Sequence, residues 1–412
     1  MGVTTRKQYR ITALAVGMFM AVNLILLRSV ILYKEKRVKY HKDHHVDIPV
    51  ILIWNLPMGM ENDYRVDEEE CGEEIDCLLT YDQDLVNRSD AVVFHFDSAS
   101  LNSMPKHRKS EQLYVWWSIE KNHKSNLKEF DNFFNLTMTY RRDSEIYSPY
   151  GSTNIILEEL RNEKQFDLEE LLQKKKKSRK MAAWAVSNCA VHRRMKLAKD
   201  MIAAGLDLDT FGHCFDDRDI GDEPNSESFY DTLSEYKFYL SFENGYHCKD
   251  YITENFWYNG LRSGAVPIVW GAEKKDIEAV APKNSFIHVD DFKEVSDLVE
   301  YMIQLSVNDA DYEKYLQWRK WVAIPHLAED RFRISKGKKE LHSFCKLCQM
   351  LYQQKTNAMN GERKSMVVKS LREWWHTKEN KECIFSDMLD FEMPQDGVRD
   401  FLMRIPQFRD NL

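Results

Sequence analysis

Apolar and polar residues along this chain fall into blocks whose period changes several times. Residues 11–27 are nearly all apolar, Arg28 interrupts them, and 29–33 resume the character, so that 11–33 form a 23-residue stretch long enough to span a bilayer. A cleaved signal peptide is the rival reading. The apolar part exceeds a usual signal core and lacks a clean small-x-small cleavage site, which favours an uncleaved signal anchor behind a short tail, residues 1–10. Residues 34–47 are charged and carry His41, His44 and His45, as a solvated stem would. Short apolar runs then predict buried strands at IPVILIWN (48–55), AVVFHFDS (91–98), LYVWWSIE (113–120) and LTMTYRRDS (136–144), the last followed by the turn Ser148-Pro149-Tyr150-Gly151. An acidic, loop-like stretch at 61–77 separates the first two and holds Cys71 and Cys77.

A basic run from Lys174 to Lys180 lies at the end of a polar connection, 166–180, and reads as a solvated interdomain linker. MAAWAVSNC (181–189) predicts a strand entering a polar turn, followed by a helix with Arg193, Arg194 and Lys196 and a strand at DLDTFG (207–212). The most ordered pattern is Tyr236–Gly271. Phe238, Leu240 and Phe242 alternate as in a strand, Glu243-Asn244-Gly245 turn the chain, and a helix starts near Asp250–Glu254 with Thr253 or Asp250 as its N-cap. That helix ends near Gly264, and Ala265–Gly271 is a second strand. The result is a β-α-β unit whose polar residues gather at the strand end and helix start, where α/β sheets bind ligands and a helix N-terminus favours an anion. SFIHVDDF (285–292) predicts a further strand, 293–322 two amphipathic helices, and 351–412 an extension with Trp374 and Trp375. Strands alternating with helical stretches give an α/β fold.

With 412 residues the chain holds two domains, and its net charge of −8 gives no reason to expect a nucleic acid partner. Eight cysteines beside an apolar anchor suit a disulfide-forming lumen. Cys189 and Cys214 end neighbouring elements and could pair. Cys345 and Cys348 form a C-x-x-C, for which a redox site or half a zinc site is the alternative. No metal site is expected: Asp216-Asp217-Arg218-Asp219 reads as a solvated loop. Two sequons, Asn87-Arg88-Ser89 and Asn135-Leu136-Thr137, fit N-glycosylation. Basic residues lie on both sides of the apolar span, so charge does not orient it.

The words FYLSFEN (238–244), DYITE (250–254) and G-x-V-P-x-V-x-G (264–271), in this order, resemble the α1,3/4-fucosyltransferase family, Golgi enzymes that use GDP-fucose. NLTMTYRRDSEIYSPYG (135–151) resembles a second block of the same family, and the likeness covers roughly residues 48–350. The resemblance implies a GT-B-like fold of two facing Rossmann-like domains behind an N-terminal transmembrane helix: an acceptor domain, 48–165, and a GDP-fucose domain, 181–350. It also implies a type II protein of the Golgi membrane with lumenal catalytic domains. The chemistry would be inverting transfer of fucose to GlcNAc on a glycoprotein or glycolipid glycan, either an outer antenna or the N-glycan core. No cofactor is obligate, and a divalent metal would enter only as a stimulant.

Such a transfer needs a base for the acceptor hydroxyl, stabilisation of the departing diphosphate and exclusion of water. By resemblance Glu120 is the base, although Glu120-Lys121-Asn122 stands where the family reads E-S-P. The donor residues so implied are Tyr150, Ser187, Arg194 (on phosphate), Tyr239, Glu243, Asn244, Tyr251 and Glu254. Asn255 stands where the family carries a lysine that meets the diphosphate. Lys249, Arg193 or Arg262 could substitute, so the site is rearranged or the protein is weak or inactive. The resemblance further joins Cys71 and Cys77 to Cys345 and Cys348, which leaves Cys248 and Cys383 to pin the extension near the site.

Overall fold

A strand buried on both faces has no polar side to show, so it reads as a continuous apolar run. Ala91–His95 (β3) and Leu113–Ser118 (β4) are such strands, buried at every residue. They sit inside a six-stranded parallel sheet with Val50–Asn55 (β1), Leu78–Thr80 (β2), Leu136–Thr139 (β5) and Ile146–Tyr147 (β6), in the order β2-β1-β3-β4-β5-β6. A second parallel sheet contains Ala182–Ala185 (β7), Leu208–Phe211 (β8), Phe238–Phe242 (β9), Val266–Trp270 (β10) and Ile287–His288 (β11), ordered β11-β10-β9-β7-β8. The computed structural model describes residues 47–56, 66, 71, 76–96, 101–121, 127–162, 167–178, 180–215, 226–332, 342–359, 366–376 and 383. The expected tail and anchor, nearly all of the stem, Asn122 and the 216–219 run lie outside them. No helix among the described residues is long and apolar enough to cross a membrane.

In each sheet the order reverses once, between β1 and β3 and between β7 and β9. These are the switch points beside which an α/β sheet opens a crevice at its carboxyl edge. The helices are Thr153–Asn162 (α1), Leu168–Lys177 (α2), His192–Ala203 (α3), Glu227–Leu233 (α4), Glu254–Phe256 (α5), Lys274–Val280 (α6), Val295–Val307 (α7), Ser343–Met359 (α8) and Leu371–Trp375 (α9), with shorter turns between. Helix α5 runs on as a π-helical turn, Trp257–Arg262.

Several expectations shift. The strand expected over 136–144 stops at Thr139, where the chain turns and re-enters as β6. The one expected over 285–292 keeps only two residues, because the His288 ring accepts from the Asp290 amide at 3.2 Å and opens a helical turn. Of the two helices expected over 293–322, α7 forms and the second breaks into single turns, since Asn308 caps the next turn at the Asp311 amide (3.3 Å). Lys175 in the expected solvated run is 1% exposed and donates to the Ser234 carbonyl at 2.6 Å and to that of Tyr236. The boundary expected at 350 falls inside α8, whose Phe344, Leu347 and Leu351 pack with Ile51, Val93 and Val115 of the first sheet. Helix α1, expected in the first domain, packs Ile156, Leu157 and Leu160 against Phe256, Trp257 and Val269 of the second.

All eight cysteines are paired. Cys71–Cys345 and Cys77–Cys348 staple α8 beside the first sheet, Cys189–Cys214 joins the ends of neighbouring elements, and Cys248–Cys383 ties the extension to the loop after β9. The C-x-x-C is therefore two structural anchors with separate partners.

Candidate active site

The carboxyl ends of β4 and β9 meet here. After β4 the Ser118 hydroxyl donates to the Glu120 carbonyl at 2.7 Å and turns the chain, so that the Glu120 side chain leaves the sheet edge toward the second sheet. Its Oε2 accepts from the Tyr251 hydroxyl at 2.6 Å. The Tyr150 hydroxyl lies 3.1 Å from Oε1 and 2.5 Å from the Ile119 carbonyl, so its one proton serves either acceptor. Burial pushes both phenols well above their ordinary range, and the Glu120 charge adds to the rise. Both therefore remain neutral donors. Three sequence-predicted residues, Glu120, Tyr150 and Tyr251, are thus brought into one hydrogen-bonded group.

On the second sheet Glu243 follows β9 and is 1% exposed. One oxygen accepts from the Thr253 amide at 2.8 Å; the other, like Asn244 Oδ1, is buried with no partner among the described residues. Burial pushes the Glu243 carboxyl up to about 8. Thr253 is the N-cap, its hydroxyl accepting from the Asn255 amide at 3.3 Å, so α5 begins at Glu254 while Asp250 stays in the preceding loop. Burial, with the charge of Glu120, also raises the Glu254 carboxyl.

Arg194 of α3 is 4% exposed; it donates to the carbonyls of Phe242 (2.9 Å) and Asn188 (2.8 Å), and its Nε has no partner among the described residues. Burial lowers the Arg194 pKa, and the nearby Glu243 offsets this only in part. Asn255 turns its amide nitrogen onto Thr253 Oγ1 at 3.0 Å and Glu254 Oε1 at 3.4 Å. Tyr239 is fully buried; its hydroxyl accepts from Asn259 of the π-helical turn at 3.1 Å and lies 3.5 Å from Asn255 Oδ1, so it supports both from within the sheet. Ser187 is exposed just beyond β7, next to Asn188, whose carbonyl accepts from Arg194.

The residues match family models over both halves. Residues 47–151 fit the fucosyltransferase N-terminal model, and residues 173–374 fit the model described as glycosyltransferase family 10 (fucosyltransferase) C-term. The chain belongs to glycosyltransferase family 10. This fucosyltransferase is 35% identical over 282 residues to the 4-galactosyl-N-acetylglucosaminide 3-alpha-L-fucosyltransferase FUT6 of Homo sapiens, covering 66% of this chain and 73% of that protein. It is 32% identical over 335 residues to the 4-galactosyl-N-acetylglucosaminide 3-alpha-L-fucosyltransferase 9 of Mus musculus, covering 76% and 87%. A solved alpha1,3-fucosyltransferase with GDP superposes with a TM-score of 0.49 at 15% identity, over 75% of this chain and 89% of that one. The enzyme class expected from the sequence, an α1,3-fucosyltransferase, is borne out.

Sequence reasoning gave no role in the fucosyltransferase to Arg142 or Asp276. Arg142, in the turn after β5, bonds Asp250 Oδ1 at 2.6 Å and Asp276 Oδ1 at 3.0 Å, and Asp276 also accepts from the Asp250 amide at 3.0 Å. The signal was the paired arginines of the Tyr140-Arg141-Arg142-Asp143 block, which the resemblance quotes without assigning. Of the cations considered as substitutes at Asn255, Lys249 is paired with Asp143 and Arg262 with Glu159 and Glu227. Arg193 lies 5.0 Å over the Tyr246 ring.

Proposed function

We propose that this protein is an inverting α1,3-fucosyltransferase of the GT-B type that moves L-fucose from GDP-fucose to GlcNAc of a glycoprotein or glycolipid glycan. The observation that carries the reading is the bond from Tyr251, before α5, to Glu120, at the end of β4, which sets a carboxylate from one sheet over the ligand edge of the other. The acceptor hydroxyl oxygen attacks the anomeric carbon of fucose and its proton passes to Glu120. The bond from that carbon to the β-phosphate oxygen breaks, and GDP leaves with the electron pair. Tyr150 and Tyr251 orient the carboxylate, and Arg194 and the start of α5 face the diphosphate. Ser187, Asn244, Glu243, Glu254 and Asn255 border the same donor. Residues 11–33 anchor the protein as a type II protein of the Golgi membrane. Among the described residues no cluster of His, Cys, Asp or Glu is built to hold a metal; a divalent cation enters this reading only as a stimulating counter-ion to the diphosphate.

The test is transfer from GDP-fucose by the purified lumenal part to a panel of antennal and core N-glycan acceptors. Glu120→Gln is expected to lower kcat by about 10²–10⁴ while GDP still binds, the range for losing a general base. Unchanged turnover in that variant sinks the assignment. The Asn255 amide, turned onto Glu254 instead of carrying a cation, favours a second reading, a glycan- or nucleotide-binding member with little or no turnover. GDP binding without transfer to any acceptor selects it.

A further inference from the structure

Helix α9 has only five residues, and its Leu371 and Trp375 are buried with Phe130, Tyr140 and Tyr251. So short a helix has little stability of its own, and the protein fixes it from outside. The Val368 amide donates to the Phe134 carbonyl at 2.8 Å, and the Asn132 amide to the Val368 carbonyl at 3.1 Å. Arg141, its side chain wholly buried, donates to the carbonyls of Trp374 (2.8 Å) and Trp375 (3.2 Å), which end the helix. The same guanidinium holds both oxygens of Asp143, at 2.8 and 2.6 Å. Cys248–Cys383 adds a covalent tie from the extension to the loop that carries Tyr251.

The outcome of this anchoring is the placement of one ring. Trp375 meets Tyr140 edge-on, with centroids 5.8 Å apart, and Tyr140 lies 4.9 Å from the Tyr251 ring. The hydroxyl of Tyr251 then donates to Glu120 Oε2 at 2.6 Å. Three buried rings thus run from the extension to the carboxylate. The Tyr251 oxygen sits at the far end of its ring, so a gap opened behind the ring becomes a larger displacement at the hydroxyl. A close-packed core passes such a shift on. We propose that Tyr140 and Trp375 are positioning residues for fucose transfer, holding the Tyr251 hydroxyl on Glu120, and that the carboxyl-terminal extension is thereby a working part of the active site. The inference rests on the reading of Glu120 as the base. Both residues act through Tyr251, and its hydroxyl is the group whose position they set.

The experiment measures kcat and KM for fucose transfer, and GDP binding by calorimetry. It compares wild type, Trp375→Leu, Trp375→Phe, Tyr251→Phe and Tyr251→Phe/Trp375→Leu, at a temperature where each is folded. Trp375→Leu is expected to lower kcat about tenfold or more, because a small misplacement at the reacting groups is costly, while GDP affinity holds within about threefold. Trp375→Phe keeps a ring and is expected to lose about threefold in kcat. In Tyr251→Phe the hydroxyl is gone, so Trp375→Leu in that background is expected to change kcat by less than about twofold. A role confined to folding gives the same proportional loss in both backgrounds, and that result overturns the inference. So does a Trp375→Leu kcat within about twofold of wild type, or a GDP affinity that falls in step with kcat. Should Trp375→Leu not fold, Trp375→Phe runs the same cycle: a loss that vanishes beside Tyr251→Phe supports the inference, and an equal loss or none overturns it. Wild type that binds GDP without transferring fucose fails the base reading instead. The Tyr251–Glu120 separation in crystals of wild type and the folded Trp375 variant then decides, opening beyond about 3.5 Å in support and staying unchanged against.

Discussion

Glu243 is a carboxyl with one oxygen on the Thr253 amide and the other buried with no partner among the described residues. Burial raises it from 4.5 to about 8. Between those values the unfolded chain gives up the proton and the folded chain keeps it, so the folded state binds more protons and stability falls as pH rises through the window. A neutral, isosteric Glu243→Gln removes that dependence. Thermal melts from pH 5 to 8.5 are expected to show a decline in the wild type that is flatter in Glu243→Gln; parallel curves sink the assignment. At this scale the sequence was informative where words were specific. Glu120, Tyr150 and Tyr251 were named and fall into one hydrogen-bonded group. Tyr239, named for the donor, is fully buried with its hydroxyl 3.5 Å from Asn255 Oδ1; an alternating strand residue points to one face or the other, and the word FYLSFEN does not say which. Arg142 and Asp276 were silent, since their partnership joins positions 134 residues apart.

Among elements, β1, β3, β4, β9 and β10 were legible because central parallel strands are apolar throughout. The edge strands β2 and β6, of three and two residues, were not, since so short a pairing leaves no period to read. No helix was read over 343–359, but the pairing of Cys71 and Cys77 with Cys345 and Cys348 that the resemblance implied already placed the α8 segment beside the first sheet. The loop before β5 carries the clearest consequence. The Asn135 side chain accepts from the Tyr114 amide at 2.7 Å and donates to the Met366 carbonyl at 2.8 Å, so it fastens the returning chain beside α9 to the first sheet. A sugar on that nitrogen displaces Met366. Asn87 is exposed in a helical turn. Glycopeptide mapping of protein from glycosylating cells is expected to find Asn87 modified and Asn135 bare; full occupancy at Asn135 contradicts this packing.

At the scale of the whole molecule, the two sheets are held by polar ties that converge on the segment Gly245–Tyr251. Glu120 and Lys121 reach it from β4, Cys248 binds Cys383, Lys249 pairs with Asp143, and Arg142 joins Asp250 to Asp276. Asp250 sits at φ +58°, a conformation that a non-glycine residue keeps only when its surroundings hold it. Both acids are nearly enclosed, with side chains 3% and 4% exposed, while Arg142 is 38% exposed. Arg142→Met keeps the length and removes the charge, leaving two adjacent carboxylates without their common partner. Breaking a buried pair from one side costs about 3–5 kcal/mol, and the partial exposure of Arg142 places this case at or below the lower end, about 2–3 kcal/mol. Loss should be greatest at neutral pH and shrink as acid neutralises Asp276, whose carboxyl burial raises. Function should divide as well. The donor contacts proposed above lie mainly on the second sheet, so GDP binding by calorimetry is expected to hold within about threefold, while kcat falls by about tenfold or more as Glu120 loses its register with Tyr251. Equal losses in GDP affinity and kcat would show instead that Arg142 shapes the donor site alone, and that the sheets keep their places without it.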